Sequence, residues 1–114
     1  MGRFDGKVAL VTGAGSGIGQ STAAVLVQGG ATVTGFDING DALEITAQEI
    51  QAAGGMMTVA VGDASSRSAC HEAVTNIITE HGRLDFLANI AGIASSQRLG
   101  DLRENDWDRL LAVN

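Results

Sequence analysis

The sequence has no proline and no tyrosine, a single cysteine, Cys70, and a single lysine, Lys7. One cysteine cannot close an internal disulfide or build a zinc site by itself, and His71 and His81 are not arranged with it as metal ligands. No metal is expected, and Cys70 reads as a core or helix-surface thiol. Long apolar runs are also missing: no stretch of about 18 uncharged apolar residues occurs, and Met1-Gly2-Arg3-Phe4-Asp5 lacks the apolar core of a signal peptide. The expectation is a cytoplasmic protein without a membrane partner. Basic charge is scarce too. Seven Lys and Arg stand against thirteen Asp and Glu, and the net charge of −6 repels a nucleic-acid backbone over most of the surface. Nucleic acid is not an expected partner, and any phosphate-bearing ligand must be held by local dipoles.

What is present is the composition of one soluble globular domain: 114 residues, 45% hydrophobic and 18% charged. Glycine is in excess, with 16 residues. Short apolar runs at Lys7–Thr12, Ala31–Phe36, Met56–Val61 and Leu84–Asn89 read as buried parallel strands. Helix candidates lie between them. Gly17–Gln28 places Ile18, Thr22, Val25 and Leu26 on one face, Asp41–Ala53 groups Leu43, Ala47 and Ile50, and Ser66–Glu80 groups Cys70, Val74, Ile77 and Ile78. Gly29-Gly30, Gly54-Gly55 and Gly82 stand where left-handed helix ends are needed. Asn105 before Asp106-Trp107-Asp108 looks like the N-cap of a further helix.

The order β-α-β-α-β-α-β with a last helical opening predicts an α/β fold, a doubly wound parallel sheet of the Rossmann type. With strand order 3-2-1-4 the fourth strand is an apolar edge, unless the last helix or a second copy of the chain covers it. The chain stops at Asn114 about ten residues into that helix, and the expectation is that residues 1–114 are the first half of a larger fold.

The strongest local signal is Thr12-Gly13-Ala14-Gly15-Ser16-Gly17-Ile18-Gly19, between the first strand and the first helix. Gly13 can turn sharply, Gly17 lets the backbone approach a diphosphate, and Gly19 permits helix to pack closely on strand. The helix N-terminus, with about half a positive charge, supplies the local attraction that a net negative protein needs. Gly13, Gly15, Ser16, Gly17, Ile18 and Gly19 are therefore candidate cofactor-binding residues. The spacing is GxxxGxG rather than GxGxxG, since Ile18 stands in the last glycine position of the latter. No Gly-Lys-Ser/Thr follows, which excludes a Walker loop. By itself the loop also fits a generic turn or a methyltransferase.

Asp37 closes the second strand at the distance where an acid reaches the adenosine ribose. A 2′-phosphate there would meet a carboxylate, and neither Ile38 nor Asn39 offers a cation, so NAD is expected over NADP. The alternative is that Asp37 caps the turn into the next helix.

Taken together, TGxxxGIG at Thr12–Gly19, Gly62-Asp63 after the third strand, Asn89-Ile90-Ala91-Gly92 after the fourth, and Trp107 through Val113-Asn114 resemble the short-chain dehydrogenase/reductase family. The resemblance runs through the whole chain. It implies an NAD-dependent oxidoreductase interconverting a secondary alcohol and a ketone, a small-molecule substrate, and a homo-oligomer. It further implies that Asp63 receives the adenine amino group beside the Ala64 backbone, with a helix cap as the other use of Asp63. Asn89 would tie the fourth strand to the first, partly through Thr12, while Ala91 and Gly92 leave room for the ribose and nicotinamide. Asn114 matches the family's active-site asparagine, in a supporting role, or is simply a polar terminal residue. Ser95 and Ser96 border the pocket or are ordinary loop residues, and Trp107 is core.

Two departures stand out. Ile90 replaces the family's usual second asparagine. The family's catalytic serine and YxxxK pair are absent, since there is no tyrosine and Lys7 starts the first strand. The 114-residue chain alone is expected to be inactive. A non-catalytic module that binds nucleotide or dimerises is the alternative reading.

Overall fold

The alternation of apolar runs and helical segments is realised as a parallel sheet. The computed structural model describes residues 2–90. Its elements are β1 (Val8–Thr12), α1 (Gly17–Gln28), β2 (Thr32–Asp37), α2 (Gly40–Ala52), β3 (Met57–Val61), α3 (Arg67–His81) and β4 (Phe86–Asn89). The strands lie in the order β3-β2-β1-β4 and every ladder among them is parallel. This is the Rossmann-like order expected from the sequence, with β4 terminal among the described residues.

Burial follows from the pleat. Successive residues of a strand point to opposite faces, so a strand covered on both sides is apolar throughout. All five residues of β1 are buried. Ala9 and Val11 pack with Ala23 of α1 and Leu43 and Ile50 of α2, while Val8 and Leu10 pack with Ala73, Val74 and Ile77 of α3. Each fully buried Val or Leu in these two layers contributes about 1.5–3 kcal/mol relative to exposure. The sheet is thus gripped from both sides and its strand ends are fixed.

One expectation is corrected. Of Ile18, Thr22, Val25 and Leu26, expected on one face of α1, Leu26 packs against the core but Ile18 and Val25 do not. Gly19 and Ala23 are buried there, whereas Ile18 and Val25 are 69% and 59% exposed. The reason is proximity: a Cβ at Gly19 would overlap the Gly13 carbonyl, so only the smallest side chains fit that contact. At the helix ends each of the three expected places supplies one left-handed glycine. Gly30, Gly54 and Gly82 are left-handed, but Gly29 is not. Gly29 lacks a side chain because the Phe4 ring occupies that space. Gly55, also outside the left-handed region, faces Val27 in the same way.

At the N-terminal end of the sheet, Asp85 staples β4 to β1. Its Oδ2 accepts from the Val8 amide at 2.8 Å, and its own amide donates to the Val8 carbonyl at 2.8 Å. Arg83 donates to both carboxylate oxygens, at 2.7 Å to Oδ1 and 2.9 Å to Oδ2. The Arg83 hydrogen bonds, followed by the Val8 amide, hold the Asp85 carboxyl below the usual aspartate range. Above this staple the Phe4 ring meets Phe86 edge to face, with centroids 5.7 Å apart.

Candidate functional site

Parallel strands bring their C-terminal ends to one edge of the sheet. Thr12, Asp37, Val61 and Asn89 therefore line up across β1, β2, β3 and β4. The glycine loop stands on this edge. Gly13, at φ 70°, makes the turn, and the Gly13 and Ala14 amides both donate to the Phe36 carbonyl, at 2.7 and 3.3 Å. Ser16 is the N-cap of α1: its Oγ accepts from the Gly19 amide at 3.3 Å and donates to the Gly13 carbonyl at 2.8 Å. Ser16, Gly17 and Ile18 are exposed, whereas Gly13 and Gly19 are buried.

The loop therefore divides into an inner, packed part and an outer part open to ligand. A Cβ at Gly17 would meet nothing within 4 Å. The Gly17 and Ile18 amides, in the first turn of α1, donate to no backbone carbonyl among the described residues. An anion seated on that open face would receive both donors and the positive end of the helix. The residues present thus suit a dinucleotide's diphosphate.

Asp37 lies one strand away, half-buried, with each oxygen bonded to a backbone amide. Oδ2 accepts from Gly15 at 2.9 Å and Oδ1 from Asn39 at 3.0 Å. Asp37 thus caps the turn into α2, as the alternative reading expected, while the N-cap of α2 itself is Asn39, its Oδ1 accepting from the Ala42 amide at 3.0 Å. Each Asp37 oxygen keeps acceptor capacity, and among the described residues no cation pairs with it. Ile38 beside it is 67% exposed.

Asp63, exposed just beyond β3, organises the turn into α3. Its Oδ1 accepts from the Ser65 hydroxyl at 2.7 Å and the Ser65 amide at 2.8 Å. Those bonds, the hydroxyl first, hold its carboxyl below the usual aspartate range. It is not the cap of α3, since Ser66 fills that place by accepting from the Ala69 amide at 3.2 Å. The Ala64 carbonyl accepts from the half-buried Cys70 thiol at 3.3 Å.

Thr12 Oγ1 donates to Asn89 Oδ1 at 2.9 Å, a side-chain tie between β1 and β4. Ile90 is half-buried against the α1–α2 side of the core. Ala91, Gly92, Ser95, Ser96, Asn105, Trp107 and Asn114 lie outside the described residues. His71 and His81 are on α3, and His81 ends that helix at the opposite edge of the sheet from the glycine loop. Among the described residues no group of three or more His, Cys, Asp or Glu is placed to hold a metal ion, and no helix is long and apolar enough to cross a membrane.

One residue of this neighbourhood gave no signal in the sequence. Thr46 of α2 is 1% exposed, and its Oγ1 donates to the carbonyl of Ala14 in the glycine loop at 3.0 Å. A threonine in mid-helix reads as a surface residue until its tertiary acceptor is known.

The fold and this edge define a Rossmann-like α/β protein with a glycine loop at its first strand-to-helix turn. The family model described as short chain dehydrogenase matches residues 7–114. The chain is 38% identical over 112 residues to the 3-oxoacyl-(acyl-carrier-protein) reductase FabG of Thermotoga maritima, covering 98% of this chain and 46% of that protein. Among solved structures, a 7α-hydroxysteroid dehydrogenase complexed with NADH and 7-oxo glycochenodeoxycholic acid superposes with a TM-score of 0.76 at 30% identity, covering 97% of this chain and 48% of the other. A metagenomic short-chain oxidoreductase in complex with NADP superposes with a TM-score of 0.70 at 34% identity, covering 96% and 50%. The chain belongs to the short-chain dehydrogenase/reductase family of oxidoreductases. It spans about half the length of the curated relatives it matches.

Proposed function

We propose that these residues are the cofactor-binding half of an NAD-dependent short-chain dehydrogenase/reductase that interconverts a secondary alcohol and a ketone. The observation that carries this reading is the Asp37 carboxylate at the end of β2, fixed by the Gly15 and Asn39 amides and paired with no cation among the described residues. Its remaining acceptor positions suit the two hydroxyls of an adenosine ribose and oppose a 2′-phosphate, which favours NAD over NADP. The Gly17 and Ile18 amides would hold the diphosphate, and Asp63 with the Ala64 backbone would meet the adenine. Asn89, Ala91 and Gly92 would border the ribose and nicotinamide side, with Asn114 supporting the proton relay. When bound, the nicotinamide supplies hydride acceptance and donation; the protein supplies position and electrostatics.

The relatives support the reaction class, since they are named as dehydrogenases and reductases, and one is complexed with NADH. The chain itself holds no tyrosine, and Lys7 precedes β1 at the edge of the sheet opposite the glycine loop. These 114 residues alone are therefore proposed to bind cofactor without turning over. Calorimetric titration with NADH and NADPH tests the reading. NADH should bind at least about tenfold more tightly, the size of one lost charge-assisted bond. Equal affinities would remove the ribose role of Asp37, and the absence of binding by either would remove the nucleotide reading.

A further inference from the structure

We propose that Thr46 is a positioning residue for this site, locking the Ala14–Gly15 peptide so that its N–H holds the Asp37 carboxylate. The inference rests on the reading above for its ligand, and on geometry alone for the lock. The Ala14 carbonyl and the Gly15 amide belong to one planar peptide unit, so bonds at its two polar ends fix the rotation of the whole plane. Thr46 Oγ1 donates to the Ala14 oxygen at 3.0 Å, and the Gly15 amide donates to Asp37 Oδ2 at 2.9 Å. A flip of that peptide would aim a carbonyl at a carboxylate and leave the Thr46 hydroxyl facing an N–H. The lock therefore has one stable orientation.

Packing enforces the same state. A Cβ on Gly15 would lie 2.8 Å from the Ala42 Cβ and 2.9 Å from Asp37 Oδ2, so the loop rests directly on the first turn of α2. Thr46 stands one helical turn after Ala42, and its hydroxyl also approaches the Ala42 carbonyl at 3.2 Å. That intrahelical contact is the ordinary use of a mid-helix threonine. It does not account for the bond to Ala14, which is shorter and made from a side chain only 1% exposed. No other hydrogen bond reaches the buried Ala14 carbonyl among the described residues. A buried acceptor without its donor is costly, so loss of the hydroxyl strains the loop rather than merely α2. Asp37 Oδ1 is held from the other side by the Asn39 amide at 3.0 Å. With both oxygens anchored, the carboxylate presents a fixed pair of acceptors and cannot swing aside for a 2′-phosphate.

The test compares Thr46→Val, which keeps the shape and removes the hydroxyl, with Thr46→Ser, which keeps the hydroxyl. Two readouts are used: NADH and NADPH affinity by calorimetry, and hydrogen exchange of the Gly15 amide by NMR in the ligand-free protein. Thr46→Val should bind NADH about three- to tenfold more weakly, the size of one net hydrogen bond, and narrow the preference over NADPH. Its Gly15 amide should exchange faster while the amides of α3 stay protected. Thr46→Ser should keep both the preference and the protection, and loss of either there overturns the proposal, as does parental behaviour of Thr46→Val in both readouts. If the parent binds neither dinucleotide, the functional reading fails on its own. The exchange comparison then still decides the lock: unchanged Gly15 exchange in Thr46→Val overturns it.

Discussion

Two aspartates stand at opposite edges of the sheet and each accepts a backbone amide from a neighbouring segment, yet they are completed differently. Asp85 takes the Val8 amide and is closed off by the Arg83 guanidinium, its pair of oxygens fully engaged. Asp37 takes the Gly15 and Asn39 amides, with no cation paired to it among the described residues. The first arrangement spends one acceptor position on joining the start of β4 to β1 and the rest on its own neighbour Arg83. The second orients a carboxylate while leaving capacity over, which is what a ligand-facing acid requires. At one edge the carboxylate is completed by a guanidinium of the chain, whereas at the other it is held by two backbone amides alone among the described residues, as the proposed function requires.

The sharpest test of that contrast lies within the glycine loop, where packed and open parts adjoin. Gly19→Ala forces a methyl into the Gly13 carbonyl and should destabilise the protein by about 3 kcal/mol in urea denaturation, in the range of severe overpacking. Next in size, Asp37→Ala should weaken NADH binding about ten- to thirtyfold and relax discrimination against NADPH, as expected for losing charge-assisted bonds. An unchanged preference in titration would make Asp37 no different in kind from Asp85.

Asp85→Asn should do the converse, lowering the Tm by a few degrees at neutral pH with NADH affinity unchanged. Its pH dependence has a definite sign. Because the folded carboxyl titrates below 3.8, its contribution is full above that value and is lost as pH falls through the folded pKa. The Tm gap between parent and Asp85→Asn should therefore close on acidification below about pH 4. Smallest is Gly17→Ala, where a methyl meets nothing within 4 Å. Stability should move by no more than about 0.5–1 kcal/mol, and upward if helix propensity decides. NADH affinity should nonetheless fall.

The sequence made the frame legible because parallel strands covered on both faces leave continuous apolar runs. The runs ending at Thr12 and Asn89 were read to the residue at their C-terminal ends, and the strand order followed. Asp37 was legible as the acid that closes β2. Its amide partners were not, because they depend on how the loop meets α2. The face of α1 was misread for a related reason. Amphipathic patterning weighs large side chains, whereas a helix pressed onto its strand buries its smallest, Gly19 and Ala23. Thr46 was invisible because what gives it a role is a carbonyl 32 residues earlier. Side chains that serve the loop from behind leave no periodic trace.

The position of β1 between β2 and β4 also sets an order of events during synthesis. Its ladder to β2 can form once Thr32–Phe36 has left the ribosome, but the other ladder waits for Phe86–Asn89, whose Asn89 follows its partner Thr12 by 77 residues. Until then the most buried of the described strands has one edge unmatched. Co-translational chaperones should find that edge during the interval, and slowing elongation between β2 and β4 should lengthen their engagement.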